Sequence, residues 1–243
     1  MKLNICHLYP DVLNLYGDTG NIICLKKRLE WRGIDTEITL LPIGEKADFT
    51  QFDLFFIGGG QDFEQEVLLS DLHSGKAKEI LAAVEDEKVF LCICGGYQMM
   101  GQYYLTHTGE QCDFIGALNL YTVGSDVRMI GNYMFECLDE NSGSEVIGFE
   151  NHSGKTYLGE GVFPLGTVIS GFGNNGEDHT EGARYKNVFG TYCHGPILPK
   201  NPEFADFILK TALSRRFPSA DLPPLNDCLE IQAHRYMSAR LAI

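Results

Sequence analysis

Apolar residues gather in short blocks along the first part of this chain. Leu3 to Leu8, Thr36 to Leu41, Asp53 to Ile57 and the run from Val89 up to Cys94 each predict a strand. The stretches between them read as helices, from about Asn21 to Arg32 and from about Phe63 to Asp86. Strands alternating with helices predict an α/β fold, a mostly parallel sheet flanked by helices. After about Phe114 the pattern changes to short β-rich runs: Leu118 to Val123, Met134 to Cys137, Ser144 to Phe149, Val168 to Ser170 and Val188 to Tyr192. Turn clusters such as Asn141-Ser142-Gly143 and Gly173-Asn174-Asn175-Gly176 separate them. Helices from Pro202 to about Phe217 and from Glu230 to Ile243 complete the reading, which is one domain over residues 1–243.

Composition narrows the class. A net charge of -14 argues against nucleic acid as the main partner, since phosphate binding needs a basic surface. No apolar run is long enough for a membrane span. The amino terminus reads as a strand rather than a leader. Eight scattered cysteines have no framework spacing, which predicts reduced thiols and a cytoplasmic protein.

The chemistry centres on Cys94. An apolar strand ends there, and Gly95-Gly96 follow at the start of a helix. Small neighbours let the chain turn sharply and stand a thiol above the sheet end, as a nucleophile elbow does. The first N–H groups of the helix can hold an oxyanion, with Gly95 as one donor and a backbone N–H of the Gly58-Gly59-Gly60 loop as the other. Cys92, two residues earlier on the strand, reads as core. The glycine loop matches neither the P-loop nor the dinucleotide fingerprint. Among seven histidines, His194 is best placed as a base, at the end of an apolar strand with Gly195-Pro196 fixing the turn behind it. His152 lies in what reads as a polar turn, where substrate binding and ordinary turn chemistry explain it equally well.

The segments Gly58-Gly59-Gly60-Gln61-Asp62, Cys94-Gly95-Gly96-Tyr97-Gln98 and Tyr192-Cys193-His194-Gly195-Pro196 together resemble the glutaminase domains of class I glutamine amidotransferases, in the cobyric-acid-synthase-like branch. Within it, Leu15-Tyr16-Gly17-Asp18-Thr19-Gly20-Asn21 and Gly148-Phe149-Glu150-Asn151-His152-Ser153-Gly154-Lys155-Thr156 are similar to the GatD-type subunits of lipid II isoglutaminyl synthases. The resemblance implies a flavodoxin-like fold and a Cys94–His194 dyad, because Pro196 stands where the wider class carries the acid of a triad. It implies Arg128 and Gln98 as glutamine-binding residues. It also implies a Mur-ligase-like partner, MurT, that carries ATP and Mg and amidates lipid II. No metal or cofactor is expected on this chain. Two alternatives are a glutaminase subunit for a cobyrinate-type synthetase and a non-catalytic binding module of the same fold.

Overall fold

Four of the expected strands stand side by side: β1 (Lys2–Leu8), β2 (Asp35–Leu41), β3 (Leu54–Ile57) and β4 (Val89–Ile93), paired in parallel. Every residue of β3 and β4 is buried, the reason both read as unbroken apolar runs. Phe55 and Phe90 stack across this pair with ring centroids 4.5 Å apart. Our computed structural model describes residues 1–60, 68–138 and 143–242. Gln61, Asp62, Phe63, Asn141, Ser142 and Ile243, which figure in the sequence expectations, lie outside them.

A second, mostly antiparallel sheet is built from β5 (Tyr103–Leu105), β6 (Gln111–Asp113), β7 (Leu120–Cys137), β8 (Glu145–Leu158), β9 (Gly166–Ser170) and β10 (Thr180–Glu181). The chain then returns to the first sheet as β11 (Ala183–Tyr185) and β12 (Val188–Thr191). The first sheet has the order β11-β12-β4-β3-β1-β2, and all its pairs except β11–β12 are parallel. Without the edge strand β11 this is the flavodoxin-like order, with a switch point between β1 and β3.

Six α-helices are described. They are α1 (Thr19–Glu30), α2 (Ala77–Glu85), α3 (Gly95–Met99), α4 (Ile197–Lys200), α5 (Pro202–Arg216) and α6 (Cys228–Leu241). Pro202 opens α5, where its missing N–H costs nothing.

The second sheet departs from the sequence expectation. The runs Leu118 to Val123 and Met134 to Cys137 belong largely to one strand, β7, of 18 residues. The supposed polar turn around His152 is strand: β8 has 14 residues, and His152 pairs with Met129 of β7. The reason lies in the inward face of β8. Glu150, His152, Gly154 and Thr156 alternate as buried positions, so the period of two is present but its inner side is polar.

Candidate active site

Cys94 joins β4 to α3 with φ 49° and ψ -107°, a left-handed conformation that a residue with a β-carbon adopts only when its surroundings force it. The forcing contacts are visible. Its N–H donates to Thr191 O of β12 at 2.8 Å, and its carbonyl accepts from Gln98 N at 2.9 Å. A β-carbon on Gly96 would lie 2.7 Å from the carbonyl oxygens of Ile57 and Gly58, so only glycine lets α3 start this close to β3. The expected elbow is therefore present, and it opens where β3 and β4 end. Cys92 is fully buried in β4, and burial pushes its thiol far above the usual range.

Three loops converge at these strand ends. The segment after β1 reaches the glycine loop through Leu15 N to Gly59 O, 3.0 Å. Asp18 accepts from Gly59 N at 2.6 Å. A β-carbon on Gly59 would meet His194 Cε1 at 2.7 Å, Asp18 Oδ2 at 3.3 Å and the Cys94 β-carbon at 3.4 Å. Cys94, His194 and Asp18 thus meet over Gly59.

His194 lies just past β12. Its backbone bridges to Phe149 of β8: His194 N donates to Phe149 O at 2.7 Å, and Phe149 N to His194 O at 3.3 Å. Gly195 follows with φ 106°, a turn that suits glycine. The imidazole is fully buried, and neither ring nitrogen makes a hydrogen bond of standard geometry. Asp18 Oδ2 stands 3.9 Å from Nδ1. Burial alone would lower the pKa of the ring. The negative charge of the Cys94 sulfur and the carboxylate of Asp18 outweigh it and lift the pKa to about 10. At 3.9 Å the Asp18 contact is longer than a good hydrogen bond. An imidazole beside a thiol can shuttle protons for a nucleophile.

A cavity of about 440 Å³ opens beside the thiol, lined by Tyr16, Gly60, Cys94, Gln98, Arg128 and His152 among others. Four of the six residues singled out in the sequence line it: Cys94, Gly60, Gln98 and Arg128. Gly95 is buried at the first position of α3. His194 stands behind the cavity, against the edge of the Tyr16 ring, with centroids 4.9 Å apart. Arg128 arrives by a bulge: the β7–β8 register shifts between Gly124 and Met129, and the displaced residues carry the guanidinium to the mouth. Gln98 Nε2 donates to Tyr192 OH at 3.0 Å, so at least part of its amide is engaged within the protein. His152 stacks on Tyr192 at 3.6 Å, with Nδ1 2.9 Å from Gly154 O.

Another cavity of similar size, about 450 Å³, lies around Asp71 and Lys76. Its buried charges satisfy each other, Lys76 Nζ to Asp71 Oδ2 at 2.7 Å, and it holds no nucleophile–base pair. Among the described residues no group of three or more His, Cys, Asp or Glu side chains is arranged to hold a metal ion. No described helix is long and apolar enough to cross a membrane. Sequence reasoning assigned no role to Asp18, Tyr16 or Asn151. All three lie in the segments quoted for the resemblance, and no local pattern marks them, because each acts on a side chain distant in the chain.

Comparison with known proteins shows the family. Residues 4–202 match the CobB/CobQ-like glutamine amidotransferase domain. The chain is 40% identical to the lipid II isoglutaminyl synthase (glutamine-hydrolyzing) subunit GatD of Streptococcus pneumoniae, over 94% of this chain and 87% of that protein. It is 40% identical to the GatD subunit of Staphylococcus aureus, over 98% of this chain and 96% of that one. A cobyric acid synthase from Listeria monocytogenes is 33% identical over 67% of this chain and 32% of its own length. Among solved structures, PurLQS from Thermotoga maritima superposes with a TM-score of 0.60 at 17% identity, covering 88% of this chain and 99% of that one, which shows the shared fold. The chain therefore belongs to the CobB/CobQ-like glutamine amidotransferase family, and within it to the GatD-type glutamine amidotransferase subunits.

Proposed function

We propose that this chain hydrolyses L-glutamine to glutamate and ammonia through Cys94 and His194, and feeds the ammonia to a Mur-ligase-like subunit of the MurT kind. That partner, holding ATP and Mg, would amidate the D-glutamate α-carboxyl of lipid II to D-isoglutamine. The observation that carries the hydrolytic part is the meeting of Cys94 and His194 over Gly59 at the strand ends. The acceptor and partner follow the names of the two GatD relatives.

The Cys94 thiolate attacks the side-chain amide carbon. A carbon–sulfur bond forms, and the carbonyl becomes an oxyanion facing the N–H groups of Gly60 and Gly95. The His194 proton passes to the amide nitrogen, the carbon–nitrogen bond breaks and ammonia leaves. The γ-glutamyl thioester is then attacked by water as His194 takes a proton from it. The carbon–sulfur bond breaks, giving glutamate and the thiolate again. Asp18, beside Nδ1, favours the imidazolium that opens the first half and forms again in the second. Arg128 pairs with the α-carboxylate of glutamine, while Gln98 stiffens the wall near the thiol and contacts the substrate.

The test is co-expression with a Mur-ligase-like protein from the same host, followed by an assay of lipid II with ATP and glutamine. Amidated lipid II is expected with the native chain and none with Cys94→Ala. Glutamate release from Cys94→Ala at the native rate would remove Cys94 as the nucleophile. Glutamine hydrolysis without lipid II amidation would keep the glutaminase and remove the acceptor.

A further inference from the structure

The imidazole of His194 has no hydrogen bond of standard geometry to fix its angle. Besides Cys94, Asp18 and Gly59, the ring meets Tyr16, in a T-shaped contact with an interplanar angle of 66°. Tyr16 is unusual in two respects. Its backbone is left-handed, φ 56° and ψ 24°, although it carries a large side chain. The residue is 42% exposed, yet its ring lies against a buried histidine. Contacts must hold it there. One is an edge contact with Phe149, whose backbone bridges to His194. The other is a hydrogen bond from Asn151 Nδ2 to the Tyr16 hydroxyl.

Asn151 has a second commitment. Its Oδ1 accepts from Arg128 Nε at 2.5 Å. A guanidinium can only donate, so Oδ1 must face Arg128 and Nδ2 must face Tyr16. Arg128, Asn151, Tyr16 and His194 thus form an unbroken chain of contacts along the cavity that holds Cys94. Arg128 makes no other hydrogen bond among the described residues, which leaves its two terminal nitrogens for a carboxylate.

We propose that Tyr16 and Asn151 form a positioning strap that couples capture of the substrate carboxylate at Arg128 to placement of the His194 imidazole. This rests on the glutaminase reading above. Without a ligand the exposed guanidinium is held, among the described residues, through Nε–H on Asn151 Oδ1 alone. A carboxylate held by both terminal nitrogens fixes its plane, and with it the direction of Nε–H. That direction sets the Asn151 amide, which sets the Tyr16 hydroxyl, which presses the ring edge against His194. A ligand with the right end group would then complete the dyad geometry, and amides lacking it would meet a loosely held base. Displacements on the order of an ångström at a base are enough to change rates strongly.

The experiment is a double-mutant cycle on the full chain, read as kcat and KM for glutamine. Arg128→Ala is expected to raise KM at least about tenfold and also to lower kcat about five- to tenfold, because the strap is no longer set. Tyr16→Phe keeps the ring on His194 and removes the hydroxyl. In that background Arg128→Ala should still raise KM but change kcat by less than about twofold, since the coupling is already broken. Asn151→Ala should behave as Tyr16→Phe does, and thermal unfolding should show all variants folded. Equal kcat losses from Arg128→Ala in both backgrounds, or no kcat loss in the native one, would overturn the strap. Arg128→Ala with unchanged KM in every background would instead refute the carboxylate site itself.

Discussion

A left-handed backbone at Cys94 and a histidine held near protonated are two sides of one arrangement at the residue scale. The turn stands the sulfur where its charge reaches His194, and that charge outweighs burial of the ring. Removing the sulfur takes away the larger of the raising influences and leaves Asp18 against burial. We therefore expect the His194 pKa, about 10 in the native protein, to fall in Cys94→Ala, measured by NMR of the imidazole protons. A pKa that stays high in the variant would show that Asp18 alone holds the proton. Gly59 gives an independent test. A β-carbon there would sit 2.7 Å from His194 Cε1, so Gly59→Ala must push the imidazole away from the thiol. Glutamine turnover should fall by more than about tenfold with little change in melting temperature, a loss of geometry rather than of fold. Native turnover in Gly59→Ala would mean that the dyad tolerates the displacement.

At the scale of elements, the final helix is the least anchored. No residue of α6 is buried. It is tied to β8 by His234 Nε2, 2.9 Å from Glu145 O, and by Ser238 Oγ on the Glu145 carboxylate, and at its start by Arg28 of α1, whose guanidinium binds Asp227 through both terminal nitrogens at 2.8 and 2.7 Å and Asp206 of α5 at 2.7 Å. Arg32 adds a bond to Asp206 at 2.5 Å. The Arg28 side chain is only 4% exposed, so its loss strands the partly buried Asp227 carboxylate and leaves Asp206 with Arg32 alone. Arg28→Ala should cost about 3 kcal/mol in urea unfolding and speed amide exchange along α6. Unchanged exchange in α6 would show that the helix is held without Arg28. The long strands β7 and β8 teach a related lesson. Their outer and inner faces are both rich in polar groups, so hydrophobic periodicity marks only their ends.

Across the whole molecule the site exists because two sheets meet. The first supplies Cys94 and the glycine loop, the second supplies Arg128 and grips the backbone of His194 through Phe149. Glu181 is buried at this junction and accepts hydrogen bonds from Thr191 Oγ1, Tyr133 OH at 2.6 Å and Tyr192 N at 3.0 Å. Burial raises its pKa from 4.5 to about 7 against those bonds. An acid raised on folding contributes stability that is full below pH 4.5 and is lost as pH climbs through about 7. The melting temperature of the native protein should therefore fall between pH 5 and pH 8. The fall should be shallower in Glu181→Gln, by an amount worth up to about 3 kcal/mol at the upper end. An equally steep fall in the variant would place the titrating group elsewhere.

What the sequence determined by itself was whatever depends on near neighbours. Apolar runs marked β3 and β4 because strands buried on both faces need them, and Cys94 with Gly95 and Gly96 marked the elbow because only small residues allow that turn. Arg128 and Gln98 entered through family resemblance, and the pattern around them would not have singled them out. The tertiary structure alone decided what faces His194. Asp18 and Tyr16 reach it from the loop after β1, and the bulge in β7 brings Arg128 to the same cavity. The polar inner face of β8 was likewise hidden, because Glu150 and His152 are tolerated inside by partners that the second sheet places around them. Local sterics write themselves into consecutive residues, whereas contacts between distant segments leave no periodic trace, and the coupling of this base to its surroundings is made of such contacts.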